Sequence, residues 1–432
     1  MSGALQAVFQ NQRSFGLPSF ISYIVPASGN FFPGPPQSWL AANNDSVYIA
    51  GVRETPLGGA IQKLSIGTGL LTPQYVVTAG STFNYAVLHR DATHVYAAGR
   101  INISSNRLCI TKYTLDLDVT WSRETGSNSV FYNAIGIATD ASGGVYALAT
   151  KQASAPNRTK ILKLNSSGNL QWNKEYGDTA TNTPLGISNN NTNSYVVLRY
   201  LPDGQAHFGV LLIINNSTGN LVSQHRYPDS MIFSTVAVAA SGNVYVGAAT
   251  SGSNSSIVKL NSSGVKQWGR QLVTGPADIA VAVDSSENVY GVVGFNRDDA
   301  VKTVLIRKID SAGTLQWVRT LKLNFSTSND PPDALSIAVQ NDGQYSIGGQ
   351  IRVGTKYSPF IAVFKTDGSG VGTYSIGGST AVYAVGSAVA TNDNNVFSTP
   401  TFPYQNALNT AVMASVSLSQ TSTTDSLERV VL

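Results

Sequence analysis

The sequence predicts an all-β fold, a single β-propeller of about eight four-stranded blades, with seven as the alternative. Three observations carry that expectation. A Val-Tyr pair or its equivalent returns at Val47-Tyr48, Val95-Tyr96, Val145-Tyr146, Tyr195-Val196, Val244-Tyr245, Val289-Tyr290, Tyr345-Ser346 and Val396-Phe397, 45 to 56 residues apart. Each is followed by an apolar strand and a Ser/Gly turn, and often by a Gln-Trp pair. Ile161-Leu-Lys-Leu-Asn-Ser-Ser-Gly-Asn-Leu-Gln-Trp172 and Ile257-Val-Lys-Leu-Asn-Ser-Ser-Gly-Val-Lys-Gln-Trp268 are close copies. Self-similarity at this period in a strand-patterned chain is the mark of propeller blades.

Within a unit, the first strand alternates apolar and small residues, as in Ala134-Ile-Gly-Ile-Ala138 and Ile279-Ala-Val-Ala-Val283. The turn to the second strand is rich in Asp, Asn, Ser and Gly, residues that supply the positive φ angles of a hairpin. Asp140-Ala-Ser-Gly-Gly144 is an example. The third strand is the most apolar, as in Val210-Leu-Leu-Ile-Ile214 and Phe360-Ile-Ala-Val-Phe364. Such a run predicts burial on both faces, which suits a strand sandwiched between neighbouring blades. The fourth strand carries Trp121, Trp172, Trp268 or Trp317, expected to pack between blades because these rings are large and repeat in register.

The eighth unit, 383–417, runs out before an obvious fourth strand. A spare strand-like segment, Phe20-Ile-Ser-Tyr-Ile-Val25, precedes the first unit. The expectation is that this N-terminal strand completes the last blade, closing the ring and removing two sheet edges. The chain then divides into an N-terminal docking segment 1–16, a propeller 17–418 and a C-terminal tail 419–432. Leu5, Val8, Phe9 and Phe15 are the candidate docking residues of the leading segment. A stretch that short is marginal as an isolated helix and needs a surface to lean on.

Composition narrows the function. Only 12% of the 432 residues are charged and the formal net charge is +4. Scattered basic residues give no electrostatic footprint for nucleic acid. No run approaches the ~20 apolar residues that span a bilayer. The opening residues lack a basic leader and an apolar core, so no export signal is expected. Cys109, the sole cysteine, excludes an internal disulfide and reads as a small buried apolar residue.

Candidate chemistry is sparse. His89, His94, His207 and His225 have no metal-ligand spacing with other strong ligands, and His89 and His94 read as flanking a solvated turn. Asp298 and Asp299 are the weak candidates for a calcium site, against a solvated loop, since no spacing matches a calcium motif. Arg53, Arg100 and Arg199 follow the second strand in three units and are candidate surface contacts for a ligand. A glycosidase or lyase would need paired carboxylates beside such arginines. None recurs there, so no catalytic residue, resident metal or cofactor is expected.

The turn Leu164-Asn-Ser-Ser-Gly-Asn-Leu-Gln-Trp172, with its copies at Leu260 and Ile309, resembles the repeat of quinoprotein-type bacterial propellers. In those proteins the turn and tryptophan dock one blade on the next. Asn216-Ser-Thr-Gly219 keeps the turn, but Ser223 stands where the tryptophan would be. The resemblance implies architecture and carries over no catalytic site. The opening Met1-Ser-Gly-Ala-Leu-Gln-Ala-Val-Phe-Gln-Asn-Gln-Arg-Ser-Phe15 resembles the starts of tailed-bacteriophage structural proteins. That similarity implies a non-enzymatic virion protein, docked on other tail proteins in several copies and in contact with host surface glycans. The alternatives are a bacterial scaffold or carbohydrate- or peptide-binding propeller, cytoplasmic or at the cell surface, and thirdly a polysaccharide-acting glycosidase or lyase.

Overall fold

In the computed structural model each repeat folds as an antiparallel meander whose turns are fixed by side-chain caps. The structure describes residues 20–25, 31–33 and 39–392, less a set of connecting segments that includes 67–73, 79–82, 126–130, 153–157, 202–206, 274–278, 296–302 and 325–332. It also describes the strands at 407–408, 413–415, 419–423 and 426–431. In the third blade the strands Phe131–Thr139, Val145–Gln152, Arg158–Leu164 and Leu170–Tyr176 pair in chain order. Asp140 Oδ1 accepts hydrogen bonds from the Ser142 and Gly144 amides, which closes the first turn. Asn165 Oδ1 does the same for Ser167 and Asn169 in the second turn, where Gly168 takes φ +81°. A residue with a Cβ is strained at that angle, which is why the Ser-Ser-Gly pattern recurs.

Seven such sheets form the ring. In numbers, blades 1 to 6 are built from 31–78, 83–125, 131–176, 181–226, 231–273 and 279–323. The inner strand of blade 1 is split into Phe31–Pro33 and Leu40–Ala42, both paired with Ser46–Glu54. Blade 7 is composite. Its strands Asp333–Val339, Gln344–Val353 and Lys356–Lys365 are completed by the N-terminal strand Phe20–Val25, with Ile21 opposite Ala362. The chain start therefore closes the ring, and the blade count is seven.

The eighth unit read from the sequence makes no blade. Ser379–Val385 adds to the outer strand of blade 6 and pairs on its other side with Gly372–Ile376. The chain then visits the rim in reverse blade order. Ala390–Asn392 pairs on blade 5, Ala407–Leu408 on blade 3, Met413–Ser415 on blade 2, Ser419–Thr423 on blade 1 and Ser426–Val431 on blade 7. Among the described strands, blade 4 carries no such addition. Val396-Phe-Ser-Thr399 of that unit lies outside the described residues. The parts described, 383–385 and Met413–Ser415 among them, are strands, but alternation reports one buried face and not which neighbour buries it. The result is a belt that covers outer edges and extends the protection that ring closure gives.

The core lies in the seams between blades. Tyr146, Ile161 and Trp172 of blade 3 pack with Val196, Leu198 and Leu212 of blade 4. The third strand of blade 4, Phe208–Asn215, is buried along all but its last residue. Burying each large aliphatic side chain contributes about 1.5–3 kcal/mol, so these two-sided strands dominate the stability.

Candidate functional site

The two ends of the ring differ in what they present. At one end lie the tight turns between strands 1 and 2 and between strands 3 and 4. There the sequence repeat resolves into a clamp between successive blades. Trp121, Trp172, Trp268 and Trp317 each donate from Nε1 to a carbonyl in the next blade's turn: Ser166, Asn216, Ser311 and Thr366, at 3.0 to 3.1 Å. A third-strand lysine reaches the same carbonyl in each case: Lys112, Lys163, Lys259 and Lys308. Two residues after the tryptophan, Arg123, Arg270 and Arg319 donate from Nε to the turn-glycine carbonyls of Gly168, Gly313 and Gly368. The indole ring lies over that glycine. A Cβ on Gly168, Gly219 or Gly313 would stand 2.9 to 3.0 Å from ring carbons of Trp121, Trp172 or Trp268.

Blade 4 departs from this clamp at all three positions. Ser223 replaces the tryptophan, His225 the arginine and Ile213 the lysine. Tyr195 Oη instead donates to the Ser262 carbonyl at 3.0 Å, and the His225 ring covers Gly264. Ser223 Oγ lies 3.1 Å from His225 Nε2, and burial lowers the pKa of that ring.

Ion pairs occur at both ends. Lys63 with Asp116, Lys163 with Asp140 and Lys259 with Glu287 lie among the tight turns. A second group lies at the opposite end, where strands 2 and 3 are joined and one blade passes to the next. In blade 2, Arg107 Nη1 donates to Glu124 Oε1 at 2.7 Å. In blade 3, Lys151 Nζ donates to both oxygens of Glu175 at 2.9 Å, and the fully buried Lys160 Nζ lies 3.8 Å from the same carboxylate. Lys160 sits 4.8 Å above the Tyr132 ring, and desolvation lowers its pKa to about 8 despite the Glu175 charge. Tyr132, Lys160 and Glu175 are each at most 5% exposed. A polymer cannot reach them, so they form a structural ion cluster. The sequence carried its signal as Trp-x-Arg/Lys-Glu in units two and three, a pattern the sequence reading passed over.

Arg100 and Arg199 stand at this same end. Arg100 Nη1 donates to the neutral Asn133 Oδ1 of blade 3 at 3.4 Å, and Arg199 pairs in register with Thr183. Neither is ion-paired among the described residues. They lie on blades 2 and 4 and do not touch each other. Arg53 is on the second strand of blade 1, opposite Phe31 and Gly58. Asp298 and Asp299, and Leu5, Val8, Phe9 and Phe15, lie outside the described residues. Among the described residues no group of three His, Cys, Asp or Glu side chains is placed to hold a metal ion. His94 instead joins the Asp91 turn through Thr93, and Cys109 is buried with its thiol pushed up to about 12 by desolvation. Among the described residues no helix is long and apolar enough to cross a membrane.

No protein-family model matches the chain, and no curated protein matches it. Solved structures do. The polysaccharide lyase Uly1 is similar with a TM-score of 0.51 at 10% identity, over 82% of this chain and 100% of that one. A protein of unknown function from Dyadobacter fermentans is similar at TM-score 0.47 and 9% identity, over 81% and 99%. The quinohemoprotein alcohol dehydrogenase ADHIIG from Pseudomonas putida is similar at TM-score 0.40 and 11% identity, over 76% and 66%. At such identities the likeness to Uly1 shows the propeller fold alone.

Proposed function

We propose that this chain is a non-enzymatic structural and adhesion protein of a phage virion. The carrying observation is the belt: a ring already closed by its N-terminal strand is bound a second time by short strands on the outer edges of six blades. Double closure suits a part that is exposed to solvent for long periods without repair, and capped edges suit close packing of copies without edge-to-edge aggregation. The low charge fits a surface that meets other proteins. Arg100 and Arg199, free of carboxylate partners among the described residues, fit contact with acidic sugars of a host surface. Residues 1–16, with Leu5, Val8, Phe9 and Phe15, dock on neighbouring virion proteins. Gold-labelled antibody against the chain is expected to decorate the tails of particles purified from cells that carry the gene. Undecorated particles, with the chain accumulating only inside the cells, would overturn the proposal.

A second reading is a polysaccharide lyase, favoured by the overlay of the whole of Uly1 on this chain. It requires an acid-base pair near Arg100 or Arg199. Incubation with uronate-containing polysaccharides separates the readings: new ultraviolet absorbance from unsaturated ends supports the lyase, whereas binding without chain cleavage supports adhesion.

A further inference from the structure

Arg307 stands apart from the arginines of the clamp. It lies on Thr303–Ile309, the third strand of blade 6, opposite Gly291 and Val318. Its neighbour Lys308 reaches forward to Thr366 of blade 7, so strand alternation turns Arg307 back toward blade 5. Gly291 locates the guanidinium: a Cβ built there would stand 3.2 Å from Arg307 Nε and 2.7 Å from Ile257 Cδ1 of blade 5. The seam is mostly aliphatic, with Ile257, Ile279, Val289 and Ile309 in one cluster with the buried ring of Tyr245. Most equivalent positions on other blades are aliphatic too, Leu162, Leu212, Val258 and Val363 among them.

Arg307 is 1% exposed, and Nε, Nη1 and Nη2 have no hydrogen-bond partner in the described protein. Burial lowers its pKa only to about 9, so it remains a cation at neutral pH. A buried charge persists where a counter-charge and hydrogen bonds compensate it. The seam's other charges are committed. Arg270 is held by the carbonyls of Gly269 and Gly313, and Glu287 by Asn243, Tyr245 and Lys259. Ser255, two residues from Ile257 on the same face of its strand, is fully buried with an unpartnered Oγ. Two unsatisfied donors thus face one closed, apolar seam from its two sides.

We propose that Arg307 holds a small monovalent inorganic anion of chloride size, sealed between blades 5 and 6, with Ser255 as a second donor. A solvent-closed seam excludes a carboxylate carried on a larger molecule. The anion contributes to stability by mass action, because the unfolded chain offers no such site.

The test is thermal unfolding in chloride and in gluconate at constant ionic strength, together with crystals grown in bromide. The wild type is expected to melt at a temperature that rises with chloride concentration, and Arg307→Met to lose that dependence. Bromide is expected to give an anomalous peak within hydrogen-bond distance of the guanidinium. A wild-type melting temperature indifferent to chloride, an unchanged slope in Arg307→Met, or no peak at Arg307 would each overturn the proposal. Should Arg307→Met fail to fold, the wild-type series and the bromide peak still decide.

Discussion

Truncating Trp172 to alanine is the sharpest probe of how one blade is fastened to the next. The indole is 9% exposed, lies over Gly219, meets Tyr146 at a centroid distance of 6.0 Å and donates to the Asn216 carbonyl at 3.0 Å. A buried aromatic ring covers about 150–250 Å². At ~25 cal/mol per Å², its loss is worth roughly 4–6 kcal/mol of transfer free energy. Measured truncations of large aromatic residues cost about 3–5 kcal/mol, the range expected here. The hydrogen bond adds little, because Asn216 retains Lys163 Nζ at 3.2 Å and no buried acceptor is orphaned. Trp172→Phe, which keeps most of the ring, is therefore expected to cost only ~1 kcal/mol. Urea unfolding followed by circular dichroism measures both. A cost below ~1 kcal/mol for Trp172→Ala, or equal costs for the two variants, would refute packing as the basis of the seam.

Three further outcomes follow from the geometry. Glu175→Gln leaves Lys160 buried beside Lys151 without its carboxylate and is expected to cost about 3–5 kcal/mol. Lys160→Met leaves Glu175 held by Lys151 and is expected to be close to neutral; urea midpoints compare the two. His89 Nε2 lies 3.0 Å from Thr139 Oγ1 across the seam of blades 2 and 3, and desolvation lowers its pKa from 6.5 to about 4. The folded state favours the neutral ring, so its contribution is intact above pH 6.5 and is lost as pH falls toward 4. At most roughly 3 kcal/mol is lost, and His89→Gln should flatten that part of the stability profile. Where Ser223 and Ile213 replace tryptophan and lysine, the seam of blades 4 and 5 should open more readily than that of blades 3 and 4. Amides of Leu221–Arg226 should exchange about tenfold faster than those of Leu170–Tyr176.

Much of the ring was legible because each blade repeats the same local chemistry. The Asp140 and Asn165 turns, the two-sided burial of Phe208–Asn215 and the tryptophan positions all follow from short-range pattern. Closure of the ring by Phe20–Val25 was legible as well, but the blade expected to receive it was the eighth unit; the strand completes 333–365 instead, because the eighth unit forms no sheet of its own. The fate of 379–431 was not. Met413–Ser415 and Ser419–Thr423 carry strand-forming residues, but their partners lie hundreds of residues away on blades 2 and 1. No local rule assigns an outer edge. Lys160 and Glu175 were hidden for a related reason: a lysine in an apolar strand reads as a surface residue until its carboxylate is found on the neighbouring strand. Arg100 and Arg199 were readable only as following the second strand of their units; the Arg100 contact with Asn133 of the next blade is not, because it depends on how blades pack.

Hydrogen exchange of Phe20–Val25 is the most direct measure of ring closure. This segment is a fourth strand held between Lys356–Lys365 and Ser426–Val431. Its amides are expected to exchange as slowly as those of Lys356–Lys365 and to gain protection together with them. Exchange of Phe20–Val25 at the rate of an unstructured peptide, with Lys356–Lys365 still protected, would contradict a seven-bladed ring closed by the chain's beginning.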